Sequence, residues 1–418
     1  MSLLSPKQLF ITSPERTYKL SLYEAFFTSF TVGLGETYFI AYALHLGSTV
    51  VESGLLSSLP LIFAGISPFF FRRIFHRFVV SNWVLIACAI QCVALAALAV
   101  VGMLKVNLMS EPFYPLLFIY SLYWFGNFSA LPSWNKWIHE LIPHKRSDEY
   151  FSRRTRTIQW GILLGLVSGG LTLHFKLFNF STTFLFIILF LISYHFKFIS
   201  FYLFFKQPPS NSRYDLNFKK ALAFLKQQKS FFSNYSLFNT ALFLSAPFVS
   251  GYLLSVRGLD YLTYMWVMGA LFIGKITTTM LLDKMKKKWS PHQMYFWGGL
   301  VAAPLPALWT FCESNFSLAL LHFVSGMGWA AWDVGISLAI FKKVNPHEKI
   351  EAVTIYNMVG LPTQVLGTIL GAYLLKYAYN NNYTLMFVIA GVVRLLFFLP
   401  MYTKRLGNAD QANSEQKS

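Results

Sequence analysis

Charge is what this chain lacks most. Only 12% of its 418 residues are Asp, Glu, Lys or Arg, against about 25% in ordinary soluble domains, so little remains to solvate a surface. Acid is scarcer still: 17 acidic residues face 35 basic ones, a net charge of +18. Cysteine is limited to Cys88, Cys92 and Cys312, too few for a disulfide framework. Cys88 and Cys92 are one helical turn apart but have no His or carboxylate nearby, so buried structural roles are expected rather than a metal site. No Gly-x-x-x-x-Gly-Lys-Ser/Thr phosphate loop occurs, which excludes a nucleotide-driven motor of that type. The first 20 residues are polar and mixed, and no cleavable signal peptide is expected.

Hydrophobicity takes the place of charge: 55% of the chain is apolar and 18% aromatic, with 43 Phe. Long apolar stretches recur a dozen times, separated by short loops. Spans are expected over residues 21–46, 53–71, 79–104, 113–135, 157–175, 180–204, 231–256, 260–282, 291–312, 316–341, 352–377 and 384–402. The expected fold class is an all-α polytopic membrane protein with twelve transmembrane helices. Placing both termini in the cytoplasm puts 28 of the 35 basic residues on that side and only Lys105, Lys176, Arg257 and Lys376 on the other. That is a strong positive-inside bias, and it predicts a multi-pass protein of a bacterial inner membrane rather than a nucleic-acid binder. Lys197, Lys275 and Arg394 fall inside spans, and Lys197 and Arg394 are expected to snorkel to the inner interface.

The longest polar break divides the chain into an N-terminal six-helix bundle (1–205), a cytoplasmic linker (206–230), a C-terminal six-helix bundle (231–403) and a cytoplasmic tail (404–418). In the linker, Leu216, Leu222 and Leu225 interleave with Lys219, Lys220 and Lys226. That pattern fits either a helix lying on an anionic leaflet or a solvated connector. The halves echo each other. Gly161, Gly165, Gly169 and Gly170 in the fifth span are answered by Gly367 and Gly371 in the eleventh, where small residues one turn apart allow close helix packing. Pro143-His144 after the fourth span is answered by Pro346-His347 after the tenth, and PFFFRRIFHR (68–77) by TMLLDKMKKK (279–288). A duplicated six-span unit follows.

On these residues the chain resembles the major facilitator superfamily, whose signature Gly-x-Leu-Ala-Asp-Arg-x-Gly-Arg-Lys lies between spans two and three and, more weakly, between eight and nine. Leu281, Asp283, Lys284, Lys287 and Lys288 fit the second copy, while Thr279 and Lys286 replace its glycines and Arg72 stands where the first copy has its acid. GILLGLVSGG (161–170) resembles the family's antiporter motif, with Leu166 in place of the proline. PSWNKWIHELIPHKRSDEYFSRRTR (132–156) looks like the inner loop of bacterial members of mostly unassigned substrate. The resemblance implies two pseudo-symmetric six-helix halves. Spans 1, 4, 7 and 10 would line a cavity, 2, 5, 8 and 11 would lie between halves, and Asp283, Lys284, Lys287 and Lys288 would form a gating-loop motif.

Helical spacing identifies polar stripes inside three of those spans. They are Glu24, Thr28, Thr31, Gly35, Tyr38, Tyr42 and His45 in the first; Tyr120, Trp124, Asn127 and Trp134 in the fourth; and His322, Gly326, Trp329, Asp333 and Ser337 in the tenth. Such stripes face water or each other, since lipid does not accept them. Tyr38, Tyr120, Trp124, Asn127, His322, Trp329 and Asp333 are therefore the substrate-cavity candidates. An ionised carboxylate at the membrane centre costs about 2.5 to 3.5 kcal/mol on insertion scales, which singles out Glu36 and Asp333. Glu36 is the proton-coupling candidate, although on an unbroken helix it sits about a third of a turn off its own stripe and so faces either the cavity or a neighbouring helix. Asp333 could hold a cationic group against Trp329, or pair with Lys275.

The expected function is secondary transport by alternating access, with proton-coupled export of a small amphipathic or cationic molecule. Proton-coupled uptake of a nutrient uses the same groups and stays open. A membrane-embedded acyltransferase is the remaining class, but His144-Lys-Arg-Ser-Asp148 is one residue short of the required spacing, and no catalytic residue is expected. The expected partners are a small-molecule substrate, protons and the bilayer; neither cofactor nor metal nor nucleic acid is called for, and a monomer is expected.

Overall fold

A computed structural model describes residues 14–70, 77–105, 112–142, 146–175, 180–213, 217–285, 289–344 and 349–403. Apart from one isolated bridge between Val79 and Arg213, these residues form helices and their connections. Helices satisfy their own backbone groups, which is what a chain this poor in polar side chains requires inside a bilayer.

Twelve helical segments fall on the twelve expected spans. They are α1 (Pro14–Leu34, resuming over Phe39–His45), α2 (Val50–Ser58 and Pro60–Phe70), α3 (Val80–Lys105), α4 (Phe113–Leu141), α5 (Ser147–His174) and α6 (Thr182–Phe205). There follow α7 (Lys229–Phe243, resuming to end in a π turn over Tyr252–Val256), α8 (Tyr261–Met285), α9 (Pro291–Ala302 and Leu305–Trp309), α10 (Asn315–Lys343), α11 (Lys349–Tyr373) and α12 (Tyr383–Phe398). Eight of them, α2, α3, α6, α7, α8, α10, α11 and α12, are long and apolar enough to cross a membrane. The chain is a multi-pass membrane protein. Helix starts follow capping chemistry: the Thr49 hydroxyl accepts the Glu52 N–H while the Glu52 carboxylate accepts the Thr49 N–H at 2.7 Å, and Ser290 and Gln293 repeat the arrangement at α9. The first helix of each half is broken, α1 at Gly35–Tyr38 and α7 at Leu244–Phe248, where Pro247 brings no N–H.

Packing separates two units, and their boundary does not follow the linker. Residues 39–66 and 111–117 pack with the later helices instead of with the first six. In the first unit, α5 lies along α1 through its glycines. A Cβ on Gly161 would meet the Ser29 hydroxyl, one on Gly165 the Phe30 carbonyl, and one on Gly169 the Tyr38 ring. The start of the linker is fastened to this unit: Trp137 Nε1 donates to Pro208 O at 2.9 Å, Ser210 Oγ to Glu140 at 2.6 Å, and Val80 N to Ser212 O at 3.0 Å. In the second unit, Gly367 and Gly371 of α11 meet the Thr240 and Leu244 carbonyls of α7, Gly274 of α8 meets Phe323 of α10, and Gly298 of α9 meets Gly328 of α10. Residues of α2 take part, with Thr368 Oγ1 donating to Ser58 Oγ at 2.8 Å and Gly54 lying under the Phe248 ring. The linker helix Phe218–Gln227 buries Ala221 and Phe224 and leaves Lys219, Lys220, Leu222 and Lys226 exposed; Leu216 lies outside the described residues.

Two expectations about charge are corrected. Lys197 does not snorkel. Its side chain is buried inside the first unit, with Nζ directed at Thr28 Oγ1 at 3.5 Å. Arg394 is buried too, and its Nη2 donates to Leu242 O at 2.5 Å and Ser245 Oγ at 2.7 Å. The physical reason is the break in α7: it frees the Leu242 carbonyl from its helical partner, and the guanidinium takes up that acceptor.

Candidate functional site

The two carboxylates singled out in the spans lie one in each unit. Glu36 lies where α1 breaks. Gly35 N–H closes the last α turn on Thr31 O at 2.9 Å, then Glu36–Tyr38 form a single 3-10 turn before the helix resumes. A turn of three residues rephases everything after it relative to an unbroken helix. Glu36, at the start of that turn, faces α4, where Tyr123 O–H donates to its Oε2 at 2.9 Å. Among the described residues no cation lies within ion-pair distance of Glu36, although Lys197 of α6 is near enough to act on it through space.

Asp333, on α10, approaches Lys275 of α8, with Oδ2 3.5 Å from Nζ. The approach depends on Gly274, since a side chain there would collide with the Phe323 carbonyl of α10 and hold the two helices apart. The Asp333 side chain is 60% exposed and that of Lys275 is 21% exposed. Exposure to lipid would carry the insertion cost of a bare charge, so the carboxylate opens onto water. Buried Tyr235 of α7 and half-buried Tyr356 of α11, stacked at 4.7 Å, both lie within electrostatic reach of Asp333. Trp329 is half-buried one turn before Asp333, and Ser337 is exposed one turn after.

The other stripe residues divide. Asn127 is exposed and Trp124 half-buried on α4, so both stay beside open space. Tyr38, Tyr120 and His322 do not. Tyr38 is fully buried, donating to Leu166 O at 2.6 Å in the room left by Gly169; Tyr120 is buried; and the His322 ring stacks on Trp309 at 5.3 Å with Nδ1 on Leu318 O. Amphipathic spacing cannot distinguish a face turned to water from one buried against another helix, and these three are buried. Gly170 is buried in α5. Asp283 and Lys284 close α8, while Lys287 and Lys288, and both Pro-His pairs, lie outside the described residues.

A second cluster was not anticipated. Glu24 of α1 forms an ion pair with Arg154 of α5 at 2.9 Å, with the two side chains only 1% and 11% exposed. Thr28 Oγ1 donates to Glu24 at 2.9 Å and lies 2.7 Å from Ser200 Oγ; Arg154 also donates to Ser21 O at 2.7 Å and lies over the Trp134 ring at 4.3 Å. Arg154 reads in the sequence as one of several loop cations. The available signal was Glu24 itself, an acid on a membrane stripe that needs a partner. Tyr123 is one position off the α4 stripe, so the spacing did not single it out as the partner of Glu36.

The second half of the chain, residues 231–417, matches the family model described as Major Facilitator Superfamily. No curated protein matches the sequence. Solved structures share the fold over almost the whole chain. One is a bacterial homolog of the human lysosomal transporter Spinster in an inward-facing, unoccupied conformation (12% identity, TM-score 0.60, 95% of this chain and 100% of that one). Others are the nucleoside transporter NupG (12%, 0.64, 94% and 100%) and the Escherichia coli fucose:proton symporter FucP (14%, 0.61, 94% and 99%). The second half of the chain is thus similar to the Major Facilitator Superfamily, and nearly the whole chain shares the fold of these solved transporters.

Proposed function

We propose that the chain is a proton-coupled secondary transporter of a bacterial inner membrane, with both termini cytoplasmic, which exports a small amphipathic molecule bearing a cationic group. The observation that carries the reading is Glu36: a carboxylate at the break of α1, held by one phenol and by no cation at ion-pair distance among the described residues. A group so placed can lose or gain its proton without breaking an ion pair, which suits it to report the protonation state to a moving helix. Asp333 supplies the negative charge for substrate, and Trp329, one turn before it on α10, supplies an apolar wall. The glycine-rich α5, similar to the antiporter motif, supports exchange of substrate against protons. FucP is a proton symporter of the same fold, and it supports protons as the coupling ion while leaving uptake as the alternative direction.

Reconstituted Glu36→Gln separates coupling from binding. Solute flux driven by a pH gradient should be lost while counterflow exchange continues. Flux with unaltered pH dependence would remove Glu36 from the mechanism.

A further inference from the structure

The described residues contain two interhelical ion pairs of opposite character. Glu24–Arg154 is a closed pair: 2.9 Å, 1% and 11% exposed, with Thr28 and Ser21 filling the remaining polar positions. Asp333–Lys275 is an open one, at 3.5 Å, with the carboxylate 60% exposed and the ammonium 21%. A charge-assisted N–H···O contact settles at about 2.7–2.9 Å when nothing opposes it. The Asp333–Lys275 separation therefore leaves both heads with unspent hydrogen-bonding capacity directed at the same open space. Lys275 Nζ carries three donors and Asp333 several acceptor positions, and each makes a single contact with the other.

We propose that Asp333 and Lys275 together bind the head group of a zwitterion, a small molecule with an ammonium and a carboxylate on one carbon, as in an α-amino acid. The proposal rests on the transport reading above and narrows its cationic substrate. A lone cation would have to draw Asp333 away from Lys275 and leave the ammonium without a counter-ion; a lone anion would do the converse to Asp333. Leaving either charge unpaired in a site of this kind is costly. A zwitterion laid across the pair meets both heads at once, its ammonium on Asp333 and its carboxylate on Lys275, and leaves no charge over. The 3.5 Å between the heads suits charged groups carried on one carbon and not charges at the two ends of a chain. Trp329, one turn along α10, and Tyr356, backed by the buried Tyr235 ring, give the substituent an aromatic wall, which selects apolar or aromatic side chains.

The test is thermal stabilisation of the purified full chain in detergent by L-phenylalanine and L-leucine. Phenylalaninamide, which lacks the carboxylate, and N-acetylphenylalanine, which lacks the ammonium, serve as probes of each charge. Phenylalanine or leucine should stabilise the wild type, with each one-charge analogue weaker by about tenfold or more, the factor expected for a lost charge-assisted contact. Asp333→Asn and Lys275→Met should each abolish the preference for the zwitterion. Asp333→Asn/Lys275→Met, which removes both charges and leaves none unpaired, should keep the wild-type melting temperature and lose the response. Equal stabilisation by the amide, or by the acetyl form, overturns the proposal, as does the absence of stabilisation by either amino acid. Failure of the transport reading has a different signature: binding of the zwitterion with no counterflow of it in proteoliposomes.

Discussion

Removing one member of the Glu24–Arg154 pair should destabilise the first unit sharply, and removing both should cost less. Glu24→Gln keeps the size and the acceptor for Thr28 and Ser200, but it leaves the Arg154 guanidinium buried without its charge partner. Breaking a buried pair by one partner costs about 3–5 kcal/mol. The low end applies here, because the Ser21 carbonyl at 2.7 Å and the Trp134 face at 4.3 Å remain to hold the cation. At about 2–4 °C per kcal/mol for a unit of 150–250 residues, a loss of about 3 kcal/mol lowers the melting temperature by roughly 6–12 °C. Arg154→Met strands the Glu24 carboxylate, and the loss should be similar. The double variant Glu24→Gln/Arg154→Met leaves no unpaired charge, so it should recover most of either single loss. Melting of the four proteins in one detergent, followed by intrinsic Trp fluorescence, gives the cycle. Additive losses, or a Glu24→Gln shift of less than a degree, would refute the reasoning.

Three further outcomes follow from the geometry. Gly165→Ala places a methyl group against the Phe30 carbonyl and should force α5 off α1, costing about 1–3 kcal/mol as a lowered melting temperature, whereas Ser168→Ala on the same helix should be neutral. Lys197, 4% exposed, should resist amine acylation in the folded detergent-solubilised protein while the exposed Lys219 and Lys220 react; rapid modification of Lys197 would return it to the snorkelling position. A fluorescent reporter fused after residue 418 should be active only when the C-terminus is cytoplasmic, and an external signal would overturn the even number of spans.

The spans were legible because bilayer thickness and backbone hydrogen bonding leave the sequence one way to cross, and the duplicated glycines fall where α5 meets α1 and α11 meets α7. The identity of the charged partners was not legible. Asp333 and Lys275 could be named from one carboxylate and one span ammonium, but the openness of the pair depends on how α8 leans on α10 at Gly274. Tyr38 and Tyr120 shared the spacing of Asn127 and Trp124 and were read alike, yet a ring in a glycine notch and a side chain on an open face obey the same 3.6-residue period. Helical spacing left Glu36 facing either the cavity or a neighbouring helix, and its partner Tyr123, one position off the α4 stripe, had no signature in one dimension. Arg394 and Lys197 were assigned to the interface because long basic side chains usually reach it. A broken helix with an orphan carbonyl, and a threonine one turn from an acid, are tertiary facts with no one-dimensional signature.

The central claim, that movement of solute is tied to movement of protons through Glu36, is tested most directly by trapping a pH-sensitive dye inside proteoliposomes with no imposed pH gradient. An outward gradient of a solute identified by thermal stabilisation is then established. Wild-type protein should move protons as soon as solute moves, and Glu36→Gln should move solute with no change in internal pH. Proton movement of equal extent in both proteins, or solute flux in the wild type with no pH change, would contradict the account.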